Sequence, residues 1–166
     1  NSAILDNQTR YYGGGLSGYE FTVINSTISR NAAQNGGAIE LRCDGYLTVI
    51  NSTVAFNRAT LDGGVSGIVA QDCGGFPSYG RTNFRAWNSI FAHNSGTSIL
   101  GNDISGTVRG GGNNIIGSVL VWPAYGTENQ INVDPQLDPE LRTNGGIVPT
   151  YAVIAASPAI DRGHNC

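Results

Sequence analysis

Short alternating stretches recur along this chain. Phe21-Thr-Val-Ile24, Leu47-Thr-Val-Ile50 and Phe84-Arg-Ala-Trp87 each place apolar or aromatic residues at every second position. That is the pattern of a strand with one buried face. Each stretch runs into the same phrase: an Asn, small polar residues, an aliphatic, and a second Asn six positions after the first. The copies are Asn1-Ser-Ala-Ile-Leu-Asp-Asn7, Asn25-Ser-Thr-Ile-Ser-Arg-Asn31, Asn51-Ser-Thr-Val-Ala-Phe-Asn57 and Asn88-Ser-Ile-Phe-Ala-His-Asn94, with starts 24, 26 and 37 residues apart. Glycine pairs follow the second Asn at Gly13-Gly14, Gly36-Gly37 and Gly63-Gly64.

Each unit therefore predicts strand, Asn corner, short strand, Asn corner, Gly-Gly corner, strand. A period in the twenties built from such pieces is the mark of a solenoid. The predicted fold is all-β, a single-stranded parallel β-helix of about five to six rungs stacked about 4.8 Å apart. A helical repeat of this period would need longer amphipathic runs and fewer glycines. Because a side-chain amide both donates and accepts, identical asparagines in neighbouring rungs can bond along the axis. Two such ladders are expected, one of Asn25, Asn51 and Asn88 and one of Asn31, Asn57 and Asn94. Ile4, Ile28, Val54 and Ile90 are expected to form an aliphatic column inside, and the glycine pairs to supply positive φ at the sharp corner.

The regular part is read as residues 1–121. The long step from Asn51 to Asn88 implies an insertion, assigned to a loop over 71–83, and insertions of this kind protrude from one face of a solenoid. Gly111-Gly-Asn-Asn-Ile-Ile-Gly117 reads as a degenerate fifth rung. Four of the six prolines lie beyond Asp134, so residues 122–166 are taken as an irregular section of the same domain that covers the end of the stack.

Composition narrows the function classes. The chain has 166 residues, 24 glycines, 13% charged residues, no lysine and a net charge of −3. No basic run points to nucleic acid, and no stretch is long and apolar enough to cross a membrane as a helix. The repeat is already running at residue 1, which reads as a segment processed or excised from a secreted protein. Cys43 and Cys73 follow the glycine corners of consecutive units. They are expected to be either a disulfide or two buried thiols, with Cys166 left over.

Leu47-Thr-Val-Ile-Asn-Ser-Thr-Val54, Gly106-Thr-Val-Arg-Gly-Gly-Gly-Asn-Asn-Ile-Ile-Gly117, Val133-Asp-Pro-Gln-Leu137, Asn144-Gly-Gly-Ile-Val-Pro-Thr150 and Ser157-Pro-Ala-Ile-Asp161 together resemble the bacterial choice-of-anchor Q proteins. Gly36-Gly-Ala-Ile39 and Phe91-Ala-His-Asn94 are similar to the short repeats of polymorphic outer-membrane proteins. The resemblance implies a right-handed β-helix on a secreted or surface-displayed bacterial protein. It carries over no catalytic residues.

Polysaccharide lyases and glycoside hydrolases on parallel β-helices need paired carboxylates, or an arginine base beside calcium-binding acids. Asp44, Asp62, Asp72, Asp103 and Glu40, with Arg42, Arg81 and Arg85, are the residues that would supply them; the competing reading is solvated corner residues. His93 and His164 have no partner at metal-ligand spacing, so neither metal nor cofactor is expected. The expectation is an extracellular or cell-surface structural and adhesive module without catalysis. Phe76, Tyr79, Arg81 and Arg85 are its candidate binding residues, with Thr22 and Thr48 on the same flat face. The partners would be surface polysaccharide or protein, or further copies of the chain. Two rivals are a subunit that stacks end to end into an extracellular filament and a carbohydrate-binding or polysaccharide-degrading fragment.

Overall fold

The computed structural model describes residues 1–61, 64–70, 82–96, 103–106, 108–120 and 127–164. Within them every regular element is a β-strand, and nearly all pairing is parallel. The short strand between the two asparagines of each phrase builds one six-stranded sheet in strict chain order. Its strands are Ala3–Leu5, Thr27–Ser29, Thr53–Ala55, Ile90–Ala92, Ile115–Ile116 and Gln130–Ile131. The alternating stretches build a second sheet. In it Phe21, Leu47, Phe84 and Val108 are register partners, as are Val23, Val49 and Ala86 in the next inward row. The long strand Ile39–Ile50 bends at a bulge. Its first part continues to Ile68–Ala70 and its second part to Asn83–Trp87.

Alternation explains which side chains are inside. Leu47, Val49, Phe84, Ile39, Leu41, Ile68 and Ile104 have no accessible surface, and each such side chain stabilises the fold by about 1.5–3 kcal/mol. The rings of Phe84 and Phe91 meet edge to face at 5.9 Å, joining the two sheets. The aliphatic column differs from expectation in its fourth member. Ile4, Ile28 and Val54 are in register with Phe91, whereas Ile90 pairs with Thr53 on the opposite side of the pleat. A side-chain period of two leaves no choice once the register is set.

The corners use left-handed backbone, with φ of 49°, 48°, 50° and 56° at Asn25, Asn51, Asn88 and Asn113. A second left-handed corner lies just before the other Asn, at φ 57° for Asp6, Arg30, Phe56 and His93. The two glycines of a pair have separate causes. Gly13 and Gly36 take positive φ, at 61° and 64°, as expected of glycine. Gly14 and Gly37 do not. There a Cβ would stand 2.2 Å from Gly37 O and 2.5 Å from Ser66 O, so the next repeat leaves no room for a side chain.

Two boundaries move. Asn83 is the first residue of a strand and Thr82 is buried, so the insertion is shorter than 71–83; residues 71–81 lie outside the described set. Gln130–Ile131 adds the last strand of the six-stranded sheet, inside the stretch read as irregular.

The C-terminal section has two placements. Thr127 and Gln130–Ile131 add a layer at the end of the stack, and the rest of the section runs along the outer face of the six-stranded sheet. Its antiparallel hairpin, Leu137–Arg142 with Thr150–Val153, sets Leu137 and Tyr151 against Ala55, Phe56 and Ile90. The Tyr151 hydroxyl is 2.5 Å from Ser29 Oγ, and its ring lies 4.7 Å from that of Phe56. Further along, His164 exchanges two hydrogen bonds with the Asn88 side chain. Tyr151→Phe should lower stability by about 1 kcal/mol, because it leaves the buried Ser29 hydroxyl without its partner. Limited proteolysis should then release fragments from 134–164 sooner than in the unmodified protein.

Candidate functional site

Two polar ladders run along the repeat axis. In the first, Asn7 Nδ2 donates to Asn31 Oδ1 at 2.9 Å, Asn31 Nδ2 to Asn57 Oδ1 at 3.0 Å, and Asn57 Nδ2 to Asn94 Oδ1 at 2.9 Å. Each of those oxygens also accepts the backbone N–H of the preceding asparagine. The second amide hydrogen goes to a main-chain carbonyl of the previous repeat, Ile4, Ile28 or Val54. Asn31 and Asn57 are wholly buried, and a buried amide is stable only when satisfied in this way.

Asp103 ends the column. Its Oδ1 accepts both the backbone N–H of Asn94, at 3.0 Å, and Asn94 Nδ2, at 2.7 Å. The carboxyl is 2% exposed. Burial raises its pKa to about 6, against the opposing pull of the Asn94 and Ser118 hydrogen bonds and of His93. A carboxylate accepts without needing to donate, which suits the last position of a ladder whose amides all point one way.

The second ladder is not the expected one. Asn25 and Asn51 are exposed and their amides do not bond to each other. Left-handed corners favour Asn for backbone reasons, and the adjacent Ser carries the column. Ser2 N donates to Ser26 Oγ, Ser26 N to Ser52 Oγ, Ser52 N to Ser89 Oγ and Ser89 N to Asn114 Oδ1, at 3.0–3.2 Å. Asn114 N passes the pattern to Asn129 Oδ1. Each of Ser26, Ser52 and Ser89 returns its hydroxyl hydrogen to the carbonyl two residues back. The signal was present in the sequence as Asn-Ser in all four copies.

The candidate acids are separated by environment. Glu40, 7% exposed, accepts from Ser17 Oγ at 2.6 Å and pairs with Arg42 at 3.5 Å. The Arg42 guanidinium lies over the Tyr19 ring at 5.8 Å, and hydrogen bonds to Tyr19 and then Glu40 raise its pKa. Asp44 stands exposed in the bulge at φ 62°, and Asp103 ends the buried ladder. Among the described residues no three His, Cys, Asp or Glu side chains come together as a metal site. Arg85 is exposed, donates to Asn83 Oδ1 at 3.1 Å and shares a row with Thr22 and Thr48. Phe76, Tyr79, Arg81, Asp62, Asp72, Cys73 and Cys166 lie outside the described residues. Cys43 is disulfide-bonded. His93 stacks on Phe56 at 5.1 Å and meets Asp134 at 3.2 Å, so the C-terminal section covers it in part.

Two open hollows are lined by described residues. One, of about 140 Å³, lies where Arg162 and Gly163 approach Asn88 and Asn113. The larger, of about 480 Å³, is lined by Gln8, Thr9, Arg10, Gln34 and Thr60 on the outer side of the corner that follows the first ladder. Compared with protein-family models, curated proteins and solved structures, the chain matches none.

Proposed function

We propose that the chain is a right-handed, single-stranded parallel β-helix acting as a secreted or cell-surface contact module without catalysis. Parallel sheets with strands in chain order and the two axial ladders support the winding. The resemblance to choice-of-anchor Q proteins supports the handedness and the compartment. The observation that carries the functional reading is the row structure of the outer faces. Thr22, Thr48 and Arg85 stand in register on one face, held by a buried frame whose polar groups bond along the axis. Such a frame orders exposed side chains before any partner arrives, which lowers the cost of binding.

Labelling intact producing cells with an antibody against the chain tests the compartment: surface signal is expected, and retention in the cytosolic fraction overturns the reading. Electron microscopy of the purified chain should show single particles at every concentration. Rods that lengthen with concentration would favour an end-stacking filament instead.

Extracellular location accords with pairing of Cys43 to Cys73. Trypsin without reductant should then yield peptide 43–58 joined to peptide 59–81. A 43–58 peptide joined to the terminal Cys166 would refute the pairing.

A further inference from the structure

The hollow lined by Gln8, Thr9, Arg10, Gln34 and Thr60 has an order that its shape alone does not reveal. Strand pairing places Ala32 against both Gln8 and Arg58, and Ala33 against Ala59. One residue further on, Thr60 N bonds Ala33 O just as Thr9 N bonds Ala32 O. Arg10, Gln34 and Thr60 therefore follow one another along the axis in three successive repeats. The inward neighbours Ala33 and Ala59 are buried, so this row faces outward.

Apart from the Thr60 hydroxyl hydrogen, which goes to Ala33 O at 3.1 Å, this face carries chemistry that the frame does not consume. The side chains of Gln8 and Gln34 make no hydrogen bond within the described structure, so their amide donors and acceptors face the hollow. Arg10 is the one charged residue lining it, with no carboxylate among the lining residues. Its guanidinium is held 5.5 Å above the Tyr11 ring. Tyr11 and Tyr12 are 56% and 48% exposed, large aromatic surfaces left uncovered beside a polar groove. Arg58, one outward position away along the strand, adds a second exposed cation.

We propose that this face binds an acidic polysaccharide, a chain of uronate sugars laid parallel to the repeat axis. The proposal rests on the contact-module reading above and gives it a ligand class. Three features select the class. Adjacent repeats stand about 4.8 Å apart, close to the length of one pyranose ring, so successive rows meet successive sugars. Amides and hydroxyls match sugar hydroxyls as both donors and acceptors. A guanidinium takes a carboxylate through two parallel N–H bonds, and exposed tyrosines offer flat, amphipathic surface to the sugar rings.

The probe is trigalacturonate, titrated into the isotope-labelled protein, with the fully methyl-esterified trisaccharide as the neutral control. Amide shifts are expected in 8–12, 32–36 and 58–61, and the ester should bind at least about tenfold more weakly, a change worth 1.4 kcal/mol. Arg10→Ala should weaken trigalacturonate binding by about tenfold, with Arg10→Lys in between because it keeps the charge and loses the fork. Arg10 is exposed, so folding is unaffected, and the unchanged remainder of the spectrum verifies this. The proposal is overturned by any of three results: no shifts at millimolar ligand, shifts confined to the Arg85 face, or equal affinity for acid and ester. Cell-surface labelling reads the compartment independently, so a failure here leaves that reading standing and a failure there leaves this one measurable.

Discussion

Asn57→Ala should lower stability by about 4 kcal/mol, enough to drop the melting temperature by roughly 10 °C. The two amide hydrogens of Asn57 are shared among the Ile28 carbonyl, the Ala55 carbonyl and Asn94 Oδ1, and its oxygen accepts from both the backbone and the amide of Asn31. Truncation leaves the Asn31 backbone N–H and one Asn31 amide hydrogen without an acceptor in a wholly buried place, where each unsatisfied group costs about 1–3 kcal/mol before the site relaxes, and removes the amide donor from the Ile28 and Ala55 carbonyls. Asn57→Asp should be no better, since a carboxylate accepts from Asn31 but presents a lone pair to Asn94 Oδ1. Asn51→Ala is the control. It removes an exposed side chain from a left-handed corner and should cost only about 1 kcal/mol. Equal losses at the two positions in thermal or urea unfolding would show that the buried ladder contributes nothing special.

The second large effect is a dependence on pH. Asp103 holds its proton more tightly folded than unfolded, with a pKa of about 6 against an ordinary carboxylate value near 3.8. Between these values the folded state binds more protons, so stability must fall as pH rises. The contribution is greatest below about pH 4, declines through pH 6 and is level above it. Its size is about 3 kcal/mol, from roughly two pK units at 1.36 kcal/mol each. Asp103→Asn keeps an oxygen for Asn94 and removes the charge whose burial is costly. The stability difference between variant and parent should therefore grow in the variant's favour from pH 4 to pH 6 and then stop growing. Because every other titrating group is common to both proteins, it cancels in that difference. A difference independent of pH would mean that Asp103 is ionised in the fold throughout.

Much of this was legible in the repeat and some was not, for reasons that differ by residue. Alternation located the inward positions Phe21, Leu47 and Phe84, because a strand has a period of two and one face was buried. It misplaced Ile90, because matching by chemical type lost to register: Phe91 stands three residues past Asn88, as Ile28 and Val54 stand past Asn25 and Asn51, and its ring fills their slot. The asparagines looked alike on paper, yet backbone conformation divides them. One set turns the chain at positive φ, and the other stacks amides inside. Ser26 and Ser52 went unnoticed because serine is common and its work here is local, from hydroxyl to the carbonyl two residues back. Asp103 could not have been found from the phrase, since it joins the column from outside the repeat. The prolines after Asp134 say nothing about which face the section covers. That is decided by Tyr151, Leu137 and the sheet residues they meet.

The one-way run of amides in the first ladder has an electrical meaning. Every amide-to-amide bond in it runs from an earlier repeat to a later one, while the second amide hydrogen turns back to a main-chain carbonyl; the linked N–H···O dipoles therefore share one direction, as peptide dipoles do along a helix. The column is a short electret with its positive pole at Asn94 and its negative pole at Asn7. Asp103 places an anion at the positive pole, where the aligned field works against the burial that would otherwise push its proton affinity higher still. At the other pole, the Asn7 oxygen favours a cation or a donor. Two ends built from one repeating residue therefore attract opposite charges.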